Sequence, residues 1–202
     1  KNSVDVLQAL AKDNTAIVST WALHAIMLTV DAAGHNLSAS INQILTLIQE
    51  LLMATPGNRI TVLECCGKLL NTIISAIGPE LQADAARRKR LLAMCTELQR
   101  STSGAVRLTG LNGIQQMIIF APQHVDIPTF VPQLQTTLSS KNLQLRCAAA
   151  ACLRQISQRE PALVFRNATG IESKLFRMLD SENDPRLQFD LREAITGMLT
   201  AL

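Results

Sequence analysis

Cysteine and histidine are the residues here that could hold a metal or act as a nucleophile or a base. The five cysteines are Cys65, Cys66, Cys95, Cys147 and Cys152. The three histidines are His24, His35 and His124. A structural zinc site takes two closely spaced pairs of such residues, and this spacing does not occur. An odd number of cysteines in apolar runs is also a poor disulfide framework. We therefore predict packed thiols in a reducing compartment, with no metal and no cofactor.

The same residues do not form a catalytic pattern. A cysteine nucleophile needs a base and surroundings that lower its pKa, whereas Cys147 and Cys152 flank four alanines in a run that predicts tight packing. We interpret His24 as a packed polar side chain, and Glu182 and Asp184 as part of a solvated turn. No glycine-rich phosphate loop occurs. We predict that the protein is not an enzyme and has no catalytic residues.

The strongest local concentration of charge is the run Arg87-Arg88-Lys89-Arg90. Its possible roles are a solvated helix face, a contact with an acidic protein segment or anionic lipid headgroups, and a nucleic-acid contact. The sequence disfavours nucleic acid, because the net charge is only +3 and there is no tyrosine to help stack bases. We take these four residues as the candidate partner-binding site.

The elements that position these residues are predicted to be helices. Hydrophobic residues make up 48% of the 202 residues and aromatic residues only 3%, which favours Ala- and Leu-rich helices over strands. Residues 14–30 carry no acid or base. They include several polar side chains, so we do not expect a membrane span. No basic segment leading into an apolar core opens the sequence, so we expect no signal peptide.

The helices recur with a period of about forty residues. Candidate starts lie near Thr15, Arg59, Thr102, Lys141 and Asp184. Their spacing of 39–44 residues is typical of HEAT and armadillo arrays, in which each repeat is an antiparallel helix pair.

Two kinds of residue stay in register across three repeats. A small residue recurs as Gly67, Gly110 and Ala149. A closing proline recurs as Pro79, Pro122 and Pro161. Small side chains let neighbouring helices approach closely, and a proline at a helix start lacks only an N–H that would have no partner there.

The stretch "LQLRCAAAACLRQISQREP" (143–161) shows the packing that such an array demands. The spacing of a buried helix face is followed by Leu145, Ala149, Leu153 and Ile156. The flanking alanines place small side chains on the adjacent faces of the same helix. This pattern leaves the arginines of the helix to reach solvent or the neighbouring repeat.

We therefore predict an all-α fold, an α-solenoid of HEAT/armadillo-like helix pairs. The predicted pairs are 15–55, 59–100, 102–139 and 141–180. Helical fragments at 3–11 and 184–201 flank them as half-repeats. We expect residues 1–202 to form one continuous solenoid segment of a longer array.

Several stretches resemble one family. They are "TWALHAIMLTVDAAG" (20–34), "LLNTIISAIGPELQ" (69–82), "FAPQHVDIPTFVPQL" (120–134), "LRCAAAACLRQISQREP" (145–161) and "GIESKLFRMLD" (170–180). They are similar to the large HEAT-repeat protein five family, the accessory proteins of the clathrin adaptor complex and partners of aftiphilin. The resemblance spans residues 18–82 and 107–180; the segment 83–106, with the basic run, lies outside it.

The resemblance implies a non-enzymatic scaffold that supports clathrin-adaptor-dependent traffic between endosomes and the trans-Golgi network. Its expected partners are the clathrin adaptor complex and aftiphilin-like subunits. Its expected location is the cytoplasm, peripheral to trans-Golgi, endosomal or clathrin-coated vesicle membranes and attached only through partners. The alternative is a helical-repeat module that binds nucleic acid through residues 87–90.

Overall fold

The computed structural model describes residues 3–34, 38–54 and 59–200. Those residues form α-helices and two short 3-10 turns, and no strand occurs among them. The helices are α1 (Ser3–Ala11), α2 (Ala16–Ala33), α3 (Ser38–Ala54), α4 (Ile60–Ile77), α5 (Ala85–Gln99), α6 (Gly104–Phe120), α7 (Ile127–Thr137), α8 (Leu143–Arg159), α9 (Pro161–Asn167), α10 (Ile171–Ser181) and α11 (Pro185–Leu199). The predicted all-α solenoid fold class is confirmed.

Capping residues, prolines and glycines in the sequence set these helix boundaries. Asp184 caps α11 by accepting a hydrogen bond from the amide of Leu187 at 2.8 Å, and such a cap satisfies an amide that the helix leaves unpaired. Pro161 opens α9 directly after α8 ends. Gly170 takes the left-handed conformation, with φ of 69°, and separates α9 from α10. Residue 55, the predicted end of the first pair, lies outside the described residues.

The helices group into two compact units, Lys1–Phe120 and Ala121–Leu202. The first unit contains α1 to α6 and the second contains α7 to α11. The expectation that residues 1–202 form one continuous solenoid stays a prediction.

In the first unit, α2, α4 and α6 lie side by side, and glycine sets how closely they approach. A Cβ placed on Gly67 of α4 would lie 2.0 Å from Oγ1 of Thr109 in α6. A Cβ on Gly110 of α6 would lie 2.6 Å from the carbonyl oxygen of Cys95 in α5. Both distances are far below van der Waals contact. The small residues predicted from the repeat register are therefore required by the packing.

In the second unit, α8 packs closely against α11. The four consecutive alanines of α8 are all buried, and a Cβ on Gly197 of α11 would lie 3.0 Å from the backbone of Ser157. The small residues therefore serve the same purpose here as in the first unit. They bring two helix backbones together along a whole face.

Two ion pairs cross from α8 to the segment that follows α10. Arg146 lies 2.9 Å from a carboxylate oxygen of Glu182, and Arg154 lies 2.8 Å from a carboxylate oxygen of Asp190. Each pair joins residues that are 36 positions apart. The arginines thus reach the neighbouring repeat, which is one of the two destinations predicted for them.

Glu182 and Asp184 lie in the turn between α10 and α11, as predicted, but both are half-buried and not fully solvated. The side chain of Glu182 is only 17% exposed, because the guanidinium of Arg146 covers it and its other oxygen accepts the amides of Asn183 and Asp184. Asp184 is occupied as the cap of α11. Both carboxylates stabilise the turn between α10 and α11.

Replacing Ala149 with leucine tests the close approach of α8 to its neighbours. Ala149 is fully buried, so we expect Ala149→Leu to lower the free energy of unfolding by about 1–3 kcal/mol through overpacking. Thermal and denaturant unfolding measure the change. The matched control is Ala162→Leu, at an exposed position of α9, which should unfold like the wild type. Equal stability of both variants would contradict the assigned register.

A double-mutant cycle tests the pair of Arg154 and Asp190. The side chain of Asp190 is 6% exposed and that of Arg154 is 27% exposed. We expect Arg154→Met to cost about 2–4 kcal/mol, because it leaves a buried carboxylate without a partner. The double variant Arg154→Met/Asp190→Leu should be more stable than Arg154→Met alone. Arg100→Met, which breaks an exposed pair with Glu97, serves as control and should cost less than about 1 kcal/mol.

Candidate protein-interaction surfaces

Two of the four residues in the basic run are used inside the protein. Arg87 lies 3.4 Å from Asp84 and 3.7 Å from Glu80, and its side chain is mostly covered. Arg88 is buried, and its guanidinium donates to the backbone carbonyls of Leu81 at 2.6 Å and Gln82 at 2.7 Å. These charges hold the 3-10 turn before α5 in place. They do not form a basic surface.

The other two residues face outward, over the gap between α3 and α5. Lys89 is exposed. Arg90 donates from Nε to the side-chain oxygen of Gln49 at 3.1 Å and from its terminal nitrogen to Oγ1 of Thr46 at 2.9 Å. Both acceptors are neutral, so the bonds orient the guanidinium without neutralising it. The proposed partner-binding role of residues 87–90 stays a prediction, and Lys89 and Arg90 are its accessible members.

Lys89 and Arg90 form one end of an apolar groove, which we call the α3–α5 groove. Its volume is about 540 Å³, within the usual range for ligand sites. It is lined by Gln49, Leu52, Met53, Ala86, Lys89, Arg90, Ala93, Met94 and Glu97. Met94 is buried at its base, whereas Met53 stands 82% exposed beside it. Glu97 is paired with Arg100 at 3.0 Å, whereas Lys89 and Arg90 form no ion pair with another described residue, so the basic end of the groove carries two positive charges.

A second apolar surface runs along α2. Its apolar residues are Ile17, Trp21 and Leu28, which are 69%, 68% and 55% exposed. Their spacing of four and seven residues places them on one helix face. His24 lies on the same face, and its ring meets the Trp21 ring edge-on at 6.1 Å between centroids. We call these four residues the α2 stripe.

Comparison of α2 with α4 shows that the α2 stripe lies on an open surface. The two helices correspond at a shift of 44 residues, since Ile26 and Val30 of α2 and Leu70 and Ile74 of α4 are all buried. At the stripe positions α4 carries polar or half-buried side chains, namely Thr61, Cys65, Lys68 and Thr72. Because α4 packs between α2 and α6, this face is one that neither neighbouring helix covers.

The two histidines that the structure describes, His24 and His124, are both exposed. The interpretation of His24 as a packed polar side chain is wrong, because His24 is exposed and its one described ring contact is with the equally exposed Trp21. His124 is exposed at the end of a 3-10 turn. His35 lies outside the described residues. Within those residues, no three His, Cys, Asp or Glu side chains come close enough to hold a metal ion.

Burial controls the chemistry of the thiols. Cys66, Cys95 and Cys152 are buried, as predicted, whereas Cys65 and Cys147 are half-buried. Burial raises the pKa of Cys66 and of Cys95 to about 12, and it raises the pKa of Cys152 as well. Burial is also the main cause that raises the pKa of Cys65 and Cys147. A thiol acts as a nucleophile through its thiolate, so these surroundings suppress nucleophilic chemistry.

By length and composition alone, two segments of the described part of the chain could cross a membrane. They are Ala16–Ala33 and Ile60–Gln82, each with mean hydropathy 1.5. The second packs between α2 and α6 as a central helix of the first unit, and core helices meet the same criterion. The first contains the α2 stripe, which accounts for part of its apolar character.

The repeated helix pairs and their small-residue contacts define a class of protein. Residues 130–159, which span α7 and α8, match the family described as HEAT repeat. An engineered protein from a structural genomics consortium is similar over 99% of this chain and 98% of its own, with 14% identity and a TM-score of 0.55. A designed armadillo repeat protein matches over 97% and 100%, with 13% identity and a TM-score of 0.51. The chain has the α-solenoid fold of HEAT/armadillo-like helical-repeat proteins.

One natural protein is also similar in sequence along almost the whole chain. Protein SWEETIE of Arabidopsis thaliana is 29% identical over 199 residues, which is 98% of this chain and 9% of that protein. The chain therefore spans about a tenth of the length of the curated relative that it matches. The resemblance to the HEAT-repeat protein five family stays a prediction.

Thiol labelling tests the placement of the five cysteines. At pH 8 in the native protein we expect iodoacetamide to modify Cys65 and Cys147 first, because the other three are buried and, as neutral thiols with raised pKa, hold little thiolate. All five should react after unfolding in guanidinium. Peptide mass spectrometry assigns the sites. Native labelling of Cys95 at the rate of Cys147 would contradict the described packing.

Proposed function

We propose that the chain is a non-enzymatic scaffold segment that supports clathrin-adaptor-dependent traffic between endosomes and the trans-Golgi network. Its proposed partners are the clathrin adaptor complex and aftiphilin-like subunits, and through them it is peripheral to the membrane. The helical-repeat fold supports the scaffold part of the proposal, because such folds present long surfaces to other proteins. The resemblance of residues 18–82 and 107–180 to the HEAT-repeat protein five family supports the trafficking part.

The α2 stripe is the observation that carries the scaffold proposal. Trp21 and its apolar neighbours stand on a face that the adjacent helices leave uncovered, where α4 carries polar or half-buried side chains. Exposed aromatic anchors of this kind dominate the energy of many protein interfaces. The stripe is one helix wide and three apolar side chains long, less than the roughly 800 Å² per partner of a standard stable interface. It therefore suits an apolar helix face of an adaptor subunit better than a second copy of this chain.

The nucleic-acid alternative gains no support from the side-chain placement. A four-residue basic patch would change the logarithmic salt slope by about 3.6 on duplex DNA. Arg87 and Arg88, however, already bind carboxylates and carbonyls within their own unit. Two accessible cations at one end of an apolar groove are a poor match to a regular phosphate backbone.

A binding experiment with purified components tests the proposed function. We expect the chain to bind purified clathrin adaptor complex with its aftiphilin-like subunit, and Trp21→Asp to weaken that binding at least tenfold, equivalent to about 1.4 kcal/mol. Surface plasmon resonance measures both. Phe176→Asp, which changes a 46% exposed aromatic residue in α10, is the matched control and should bind normally. Absence of binding by the wild type would reject the trafficking role. Equal binding by Trp21→Asp and wild type would reject the stripe as its contact.

A further inference from the structure

We propose that the α3–α5 groove binds a short acidic peptide segment of a partner protein, with a bulky apolar side chain next to its acidic residues. The inference rests on the proposed scaffold function, since it names the chemistry of one partner segment. It concerns a different face from the α2 stripe, and different residues carry it.

The floor of the groove is built to receive an apolar side chain. Met94 lies buried at the base, and Leu52, Met53 and Ala93 form the walls. A methionine that is 82% exposed, as Met53 is, leaves an adaptable apolar side chain in water. Methionine is enriched at interfaces and can adjust to differently shaped partners. A leucine or phenylalanine side chain entering here would cover Met53 and contact Met94.

The charge of the groove defines the rest of the ligand. Arg90 is held by Thr46 and Gln49, so its guanidinium is fixed in place before any ligand arrives. Lys89 is exposed next to it and has no described partner. The nearby acids are already paired, Glu97 with Arg100 and Glu50 with Lys12. Carboxylates are the complementary ligands, and an ordered guanidinium binds them with little further loss of freedom.

The spacing of the two regions fixes the size of the motif. Met94 follows Arg90 by four residues in α5, and Met53 follows Gln49 by four in α3. One helical turn rises about 5.4 Å, so the basic end and the apolar floor lie roughly that far apart along the groove. An acidic residue adjacent to, or one turn away from, the apolar residue spans this distance. The ligand is therefore a short segment and not a whole domain surface.

Protein is favoured over a membrane as the source of this ligand. Anionic lipid headgroups would satisfy Lys89 and Arg90, but a flat bilayer does not place an apolar group in a groove whose base is a buried methionine. The groove volume of about 540 Å³ matches one or two side chains. Anionic vesicles therefore serve as the competing outcome in the test.

The test measures fluorescence anisotropy of a labelled peptide that carries a Leu-Phe pair followed by glutamates. We expect binding by the whole chain. Replacing the glutamates with lysines, or the Leu-Phe pair with alanines, should abolish it. Lys89→Glu and Met53→Asp should each weaken it at least tenfold, and added salt should weaken it further, because exposed charges are screened. Lys141→Glu, an exposed charge reversal in the other unit, is the control and should bind normally.

Several results would overturn the inference. They are no binding of the peptide, equal binding of the alanine version, unchanged binding by both Lys89→Glu and Met53→Asp, or Lys89-dependent cosedimentation with phosphatidylserine vesicles in place of peptide binding. Circular dichroism checks that the variants fold, and Arg90→Gln removes the second charge if Lys89→Glu does not fold. The assay contains no adaptor proteins. Loss of peptide binding with adaptor binding intact would reject only this inference, and the reverse would reject only the proposed function.

Discussion

The distance between neighbouring first helices of the repeats is the constraint on which the rest of the structure depends. At Gly67 a Cβ would overlap α6, the next first helix, and at Gly110 it would overlap α5, the second helix of the preceding pair; in α8 four consecutive alanines are buried. Because the helices approach this closely, aliphatic side chains fill the core, and Phe130 is the one aromatic residue buried among the described residues. This explains how a chain with only 3% aromatic residues forms well-packed units. It also dictates which faces remain open, and the two proposed binding surfaces are found there.

The helix boundaries were predictable from the sequence because the interactions that begin or end a helix are local. Asp184, Pro161 and Gly170 act through their own backbone and its next few residues, so their effects can be read without knowledge of the fold. The buried face of α8 was also predictable, since Ala149 and Ile156 follow the helical period. Gly67 and Gly110 each lie where a side chain would clash, against Thr109 of α6 and Cys95 of α5 respectively, whereas the register that aligned them with Ala149 stays a prediction.

The surfaces were harder to predict, because they depend on contacts between distant residues. The run 87–90 reads as a uniform basic patch, but whether an arginine is buried depends on carbonyls at residues 81 and 82 that it reaches across a turn. The α3–α5 groove joins residues about forty positions apart. The α2 stripe did leave a signal in the spacing of Ile17, Trp21 and Leu28. That signal is meaningful only when the matching positions of α4 are known to be polar and uncovered.

The two ion pairs between α8 and the following repeat determine an angle as well as a distance. Arg146 and Arg154 are eight residues apart, which separates the two anchor points by about 12 Å along α8; their partners Glu182 and Asp190 lie just before α11 and within it. A single anchor would let one helix pivot on the other, since small apolar side chains resist rotation only weakly. Two anchors remove that freedom, and sliding by one turn would separate both pairs at once. In the second unit, the two ion pairs therefore determine the rotation of α11 relative to α8. Alanine and glycine determine how close the two helices lie.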